Sequence, residues 1–457
     1  MTQDSNACAP DFSKDRVLIR QLGHYAGQEV TINGWVDVRR DQGKLVFFDF
    51  RDRTGFVQGV VLPGKDTDAE ALMTIAKEVR HEDVVEVRGI VNKRPEKNVQ
   101  ADKQNGDIEL EIKGITVLVK AHELPFDKDA ELNIDTRFDY RPYTLRSQRD
   151  RDVFTVQATI IDAYRQSLIT QGFTEFQAPA LVGEDAEGGS AVFQIPDYFG
   201  KRAYLATSPQ LYKQMMVGAF ERVFTIAKVF RAEKSATTRH LSEITQMDFE
   251  MGFIQNESDV MRALERTIRD TVKVVAAKHA DVFARMEVPV PSLGDAFPTL
   301  TLAEVFSTLG LPEEDDLAPE HERAICEWAK KEHDSDFVFV TRFPTDARAF
   351  YTMSAEGKLS KGFDLLFRGL EINSGAQRIH DYDELVARIK ERGMDPEKFA
   401  FYLQAFKYGI PPHGGCSTGL ERFTMRMLEL DNAKEASAFP RDMNRIDTLL
   451  SQEQTGT

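Results

Sequence analysis

Over its first quarter the chain alternates hydrophobic and polar residues in short blocks of period two. Residues 30–36 read Val-Thr-Ile-Asn-Gly-Trp-Val, residues 45–50 Leu-Val-Phe-Phe-Asp-Phe and residues 55–61 Gly-Phe-Val-Gln-Gly-Val-Val. Blocks at 83–91 and 108–119 complete five predicted strands, with a helix at 69–79 between the third and fourth. That order fits a small OB-fold barrel over residues 16–122. Residues 1–15 predict a flexible tail, and the polar, weakly periodic stretch 123–152 predicts a hinge. The period then lengthens. Val153, Val156, Ile160, Ile161, Tyr164 and Leu168 predict a helix that Gly172 ends, followed by a strand over 173–179. Beyond it, helices are predicted at 257–280, 302–309, 383–392 and 396–408, and strands at 337–341, 348–351 and 362–367. Residues 289–331 otherwise read as proline turns, with an acidic patch at 313–316 taken as solvated surface. The fold class is therefore α+β, a barrel followed by one domain over residues 153–457.

One block breaks the ordinary rule for strands. Ala227 and Val229 lead into a polar turn, and Met247, Phe249, Met251 and Phe253 lead out of it, an antiparallel hairpin by its alternation. Arg231 and Glu233 share a face before the turn, Arg239, His240, Leu241 and Glu243 follow it, and Asp248 and Glu250 lie inside the returning strand. Charges inside a strand must be paired or bound to a ligand. A salt-bridged surface hairpin is the ordinary explanation of such a pattern.

Composition changes the picture in two places. A formal net charge of −16 argues against an overall nucleic-acid-binding surface, so any phosphate contact must come from local basic patches. The cysteines, Cys8, Cys326 and Cys416, are scattered without a CxxC or Cys/His cluster. They read as reduced thiols of a cytoplasmic protein rather than zinc ligands or disulfides. No apolar run reaches membrane-spanning length.

Further groupings carry chemistry. In the barrel, Arg39, Arg40, Arg51 and Arg53 flank Phe47 and Phe48, the mixture of cations and aromatic faces that single-stranded nucleic acid uses. One phenylalanine of the adjacent pair must point into the barrel in any case. A Gly188-Gly189 pair follows Glu187, and Gln210 and Lys213 share a face at a helix start after Ser208. Glu371, Ser374 and Arg378 fall within eight residues: two hard oxygens suited to Mg²⁺ and a planar fork suited to a carboxylate. Last, the glycine-rich run 413–419 reads as a turn opening a helix at Leu420, an arrangement suited to a nucleotide.

These segments resemble, over residues 16–446, the class II aminoacyl-tRNA synthetases of the aspartyl type, in a compact form without a large inserted domain. Phe230-Arg231-Ala232-Glu233, Arg239-His240-Leu241 and Asp248-Phe249-Glu250 are similar to motif 2. Gly419-Leu420-Glu421-Arg422 is similar to motif 3, and the helix and strand ending at Pro179 to motif 1, which builds a dimer interface. The resemblance implies an antiparallel catalytic sheet flanked by helices and a homodimer. It implies ATP bound by Arg231, Glu233, Arg239, His240, Leu241, Glu371, Gly419, Leu420, Glu421 and Arg422, with Arg231, Glu371 and Arg422 catalytic. L-Aspartate would meet Glu187, Ser208, Gln210, Lys213, Arg231, Asp248, Ser374 and Arg378, and Mg²⁺ would sit on Glu371 and Ser374. In the barrel, Asp37, Arg40, Phe47 and Gln58 would read the tRNA anticodon. The ionised carboxylate of Asp37, paired with Arg39 or Arg40, would accept from the amino group of the C in tRNA-Asp rather than face the U in tRNA-Asn. Cys416-Ser417-Thr418 departs from the motif 3 pattern and would add Cβ atoms beside the nucleotide. Charging of tRNA-Asn as well as tRNA-Asp stays open. So do an asparaginyl- or lysyl-tRNA synthetase and a non-catalytic nucleic-acid-binding relative.

Overall fold

The computed structural model describes residues 16–447 except 65–66, 102, 128–129, 184–190 and 235–236. The chain divides into two compact units, Met1–Glu131 and Leu132–Thr457. The tail expected over residues 1–15 lies outside the described residues.

In the first unit the five expected strands form: β1 (Glu29–Asp41), β2 (Val46–Arg51), β3 (Phe56–Val61), β4 (Val84–Lys93) and β5 (Ile108–Val119). They close a barrel in the order β1-β2-β3-β5-β4, and the expected helix, Thr67–Glu78, stands between β3 and β4. This is the OB fold. Alternation sets the inside: Val30, Ile32, Val36, Phe48, Phe50, Val85 and Val87 fill one core. The pairing of β1 with β2 slips between Val36 and Val38, so Asp37 is the extra residue of a β-bulge.

Residues 132–147 belong to the second unit. The hinge expected over 123–152 is largely helical there, with Ile134–Asp139, Arg141–Thr144 and a long helix, Gln148–Thr170, that starts before residue 153. The reason is buried charge rather than apolar periodicity. Arg137 and Arg141 both donate to Asp150, at 2.6 and 3.1 Å, and Arg137 also donates to Glu435 at 2.6 Å.

The remaining strands are β6 (Thr174–Glu175), β7 (Leu181–Val182), β8 (Gln194–Tyr198), β9 (Lys201–Leu205), β10 (Arg222–Phe230), β11 (Glu243–Gly252), β12 (Thr299–Thr301), β13 (Phe337–Thr341), β14 (Gly362–Phe367), β15 (Leu370–Gln377) and β16 (His413–Gly419). Eight of them make one sheet in the order β12-β13-β14-β15-β16-β11-β10-β6. It is antiparallel apart from the parallel outer pairs β12/β13 and β10/β6. Strands β7, β9 and β8 make a small second sheet. Helices Gln148–Thr170 and Glu257–Lys278 pack on one face of the large sheet, through Val156, Ile160, Val260 and Leu264 against Phe249, Phe339, Phe363 and Leu365.

Three local expectations need correction. Residues 348–351 are not a strand; they follow a short 3-10 turn, Thr345–Ala347. The glycine-rich run 413–419 is a central strand, and the helix after it is Leu420–Met427. A Cβ at Gly415 would meet Glu250 Oε2 at 2.1 Å and Phe249 O at 2.2 Å, so glycine stands there for close strand approach. Finally, residues 319–331 do not read as proline turns but form a helix, Pro319–His333, with Pro at its first position.

Candidate active site

Strand β11 separates two buried layers. Met247 and Phe249 enter the apolar core, while Asp248 and Glu250, equally inaccessible, face the other way. Glu250 accepts from Arg378 Nε at 2.9 Å, and Arg378 Nη2 donates to Gly415 O at 2.8 Å and Gln210 Oε1 at 3.3 Å. Burial alone would raise the Glu250 carboxyl; Arg378 and Lys213 override it and hold it below the usual carboxylate range. Burial works against the Arg378 cation too, and Glu250 more than offsets it, so the guanidinium pKa is raised. Lys213, with no accessible surface, donates to Asp248 Oδ2 at 2.8 Å and Cys416 O at 3.0 Å and stands 3.5 Å from Glu250. Two cations and two carboxylates thus interlock beneath the sheet surface.

Above this layer lies a cavity of about 370 Å³. Of the expected residues it brings together Ser208, Gln210, Arg231, Glu233, Arg239, His240, Leu241, Glu371, Ser374, Arg378, Gly419, Glu421 and Arg422. Lys213, Asp248 and Leu420 are buried but do not line it. Glu187 lies outside the described residues. Arg348, which the sequence reading missed, lines the wall: it grips Asp364 with both terminal nitrogens (2.9 and 2.7 Å), donates to Ser374 Oγ at 3.1 Å and stacks on Phe343. An arginine set among Ala349, Phe350 and Tyr351 was the available signal. Among the described residues, five lining arginines stand against three lining glutamates, so this part of the cavity wall is basic in an acidic chain.

A second bulge arranges the metal-type oxygens. The register of β14 with β15 jumps from Leu365↔Asn373 to Leu366↔Glu371, which makes Ile372 the extra residue. Regular alternation would send Glu371 and Ser374 to opposite faces; the bulge lets both line the cavity. Arg422 Nη1 donates to the Glu371 carbonyl at 3.1 Å and its carboxylate at 3.3 Å. Glu421 turns away from this pair and accepts from Thr245 N at 3.1 and 3.0 Å; burial raises its pKa. On the hairpin, Arg231 N donates to Ser242 O at 2.9 Å, and among the described residues its guanidinium has Glu233 as its ion-pair partner, at 3.7 Å. Burial lowers the His240 pKa, and Arg422, Arg231 and Arg239 lower it further. Of the departing triplet, Ser417 alone lines the cavity; Cys416 joins the apolar core, and Thr418 hydrogen-bonds Asn373 and Tyr164.

On the barrel, Phe48 is buried and stacks on Phe50, so Phe47 is the outward member of the pair. Arg40 forms a two-pronged bond with Asp49 (2.7 and 2.9 Å), reaches Gln58 Oε1 at 3.4 Å, and Gln58 Nε2 donates to Glu109 at 2.7 Å. Phe47, Arg40 and Gln58 therefore share one outer face. Asp37 pairs with Arg51 (3.3 Å) rather than with Arg39 or Arg40, because the bulge turns it toward β2. Arg39 instead donates to Lys77 O at the end of the helix Thr67–Glu78.

Known proteins place this arrangement. Residues 133–443 match the tRNA synthetases class II (D, K and N), and residues 30–118 match the OB-fold nucleic acid binding domain. An aspartate–tRNA(Asp/Asn) ligase of Thermus thermophilus is 44% identical, over 94% of this chain and 99% of its own length. An aspartate–tRNA(Asp) ligase of Pyrococcus horikoshii is 38% identical, over 92% and 96%. Among solved structures, the asparaginyl-tRNA synthetase of Pyrococcus horikoshii with asparaginyl-adenylate superposes with a TM-score of 0.86 at 30% identity, covering 95% of this chain and 100% of that one. The aspartyl-tRNA synthetase of Entamoeba histolytica gives 0.84 at 29%, covering 94% and 92%. With both units matched in chain order and the charged cavity lying within the matched residues 133–443, the chain belongs to the class II tRNA synthetases of the D, K and N group.

Proposed function

We propose that the chain is an aspartate–tRNA ligase that activates L-aspartate with ATP and transfers it to the 3′ end of tRNA-Asp. The observation that carries the choice of amino acid is Arg378. Its Nε and Nη2 are engaged by Glu250, Gln210 and Gly415, and its Nη1 makes no hydrogen bond among the described residues. A side-chain carboxylate accepts from such a nitrogen, whereas the NH₂ of an amide can turn a donor against it. The mismatch costs about 1–3 kcal/mol. In ATP–pyrophosphate exchange with each standard amino acid, aspartate should exceed asparagine by roughly tenfold to a hundredfold. Faster exchange with asparagine would make the chain an asparaginyl enzyme, and none with any amino acid a non-catalytic relative.

In the first step an oxygen of the aspartate α-carboxylate bonds to the α-phosphorus of ATP, and the bond to the bridging oxygen breaks, releasing pyrophosphate. A terminal ribose hydroxyl of the tRNA then attacks the acyl carbon and AMP departs. Arg231 and Arg422 supply fixed positive charge where phosphate charge develops. Glu371 and Ser374 present two hard oxygens to the cavity, and no cluster of three or more metal-type side chains exists among the described residues. That set fits Mg²⁺: Glu371 and Ser374 would hold it, and it would supply positive charge to the phosphate oxygens. Ser208 and Gln210 line the aspartate side of the cavity. Lys213 and Asp248 support its floor from below, and Leu420 anchors the start of the Arg422 helix.

The barrel, expected over residues 16–122, is the proposed anticodon reader, and the second unit, which takes in residues 132–152 as well as the expected 153–457, the proposed catalytic domain. Phe47 offers a half-exposed ring beside the Arg40–Gln58 pair. Stacking is worth about 1–3 kcal/mol per base, so Phe47→Ala should raise the tRNA KM roughly fivefold or more and leave pyrophosphate exchange intact. Charging tRNA-Asp and tRNA-Asn transcripts in parallel, with wild type and Asp37→Ala, reads whether the third anticodon base is discriminated. An unaltered tRNA dependence of Phe47→Ala would remove the stacking role. The open edge of the large sheet at β6, beside the helix Gln148–Thr170, is the proposed homodimer surface. No described helix is long and apolar enough to cross a membrane, and a cytoplasmic location follows from the tRNA substrate.

A further inference from the structure

The helix Pro319–His333 carries none of the motif residues, yet its first turn reaches the cavity wall. Glu322, 8% exposed, accepts from Arg239 Nη1 at 3.0 Å. The backbone N–H of Glu371 faces the same carboxylate. Burial and the nearby Glu371 carboxylate raise the Glu322 pKa, with Arg239 pulling the other way. The helix itself is anchored, since Ile325, Cys326 and Ala329 pack with Val338, Val340, Phe343 and Leu366 in a separate apolar cluster. Arg239 by contrast sits in the hairpin loop, which is tied elsewhere by backbone bonds from Ala433 N to Thr238 O and from Arg231 N to Ser242 O. A rigid carboxylate therefore holds a long side chain of a loop against the cavity.

We propose that Glu322 is a positioning residue for ATP: it fixes the Arg239 guanidinium by one nitrogen, leaving the other donors of the fork aimed at phosphate oxygens. This rests on the reading of the cavity as the ATP site. Arginine has five donors in a fixed plane, so anchoring one nitrogen orients the rest. An unanchored Arg239 would have to be ordered by ATP at binding, which weakens affinity rather than slowing the chemical step.

The test is a double-mutant cycle in ATP–pyrophosphate exchange, with Glu322→Ala, Glu322→Gln, Arg239→Ala and the Arg239→Ala/Glu322→Ala double variant. Glu322→Ala should raise the KM for ATP on the order of tenfold, with kcat and the KM for aspartate changed far less. Glu322→Gln, which keeps an acceptor oxygen, should fall between it and wild type. In the Arg239→Ala background the Glu322→Ala change should add nothing. If Arg239→Ala alone leaves the KM for ATP unchanged, the ATP reading of that wall fails and the proposal with it. If Arg239→Ala raises it but Glu322→Ala adds its full effect again in the double variant, the ATP reading stands and the positioning role is overturned. Equal increases in the KM values for ATP and aspartate in Glu322→Gln, with an unchanged unfolding temperature, also overturn it.

Discussion

Arg231→Ala should slow ATP–pyrophosphate exchange on the order of a hundredfold or more, the scale expected when a preorganised charge is lost from a developing anion. The structure explains why the loss would fall on the rate. Arg231 sits at the mouth of the hairpin, its backbone pinned to Ser242, and among the described residues its guanidinium has one acidic partner, Glu233, at 3.7 Å. That ion pair is loose and partly solvated, so it contributes little to stability. The alanine variant should keep its unfolding temperature while losing exchange. Arg231→Lys should recover only part of the rate, because an ammonium lacks the planar fork. Near-normal exchange by a folded Arg231→Ala protein would remove the residue from the mechanism.

Lys213→Met should act in the opposite sense, on stability first. Lys213 and Asp248 are both without accessible surface, and Asp248 Oδ1 already has no hydrogen-bond partner among the described residues. Removing the ammonium leaves that carboxylate wholly unpaired and strips Glu250 of one of its two cations. Breaking a buried pair by deleting one partner costs roughly 3–5 kcal/mol. Urea denaturation should show a correspondingly lower midpoint for the catalytic unit. The double variant Lys213→Met/Asp248→Asn, in which no lone charge remains, should lose less than Lys213→Met alone. If the double variant is as unstable as the sum of the single ones, the two residues are not an energetic pair.

The parts of this molecule legible in the sequence are those whose signal is local. Alternation marked the barrel strands because one face of each is apolar, and 3.6-residue spacing marked the helix on which Val156 and Ile160 sit. The motif residues could be gathered because each occupies a short run. Partnerships across the chain were not legible. Arg378 meets Glu250 from 128 positions away, and Arg239 meets Glu322 from 83. The run 413–419 looked like a turn because glycine is read as freedom, whereas at Gly415 it is a demand for space beside Glu250. Residues 134–147 looked irregular because arginine–carboxylate bonds, not an apolar stripe, hold their helices. The Asp37–Arg51 pair is hidden for a related reason: an extra residue in one strand is invisible until its partner strand is known.

Both of those extra residues set phase. Before Asp37, the even-numbered side chains of β1 point into the barrel; after it the parity reverses, and Arg40 emerges beside Phe47 and Gln58 instead of entering the core. Ile372 does the same on β15, bringing Glu371 into step with Ser374 and Arg378. Each recognition surface therefore depends on a residue count as well as on residue identity. A strand pairing that took Asp37 or Ile372 into regular alternation would leave every functional side chain in the sequence, yet put Arg40 inside the barrel and Glu371 on the face opposite Ser374. Grafts into this chain must therefore preserve the two-against-one pairing at these two points, even where the recognised side chains are unchanged.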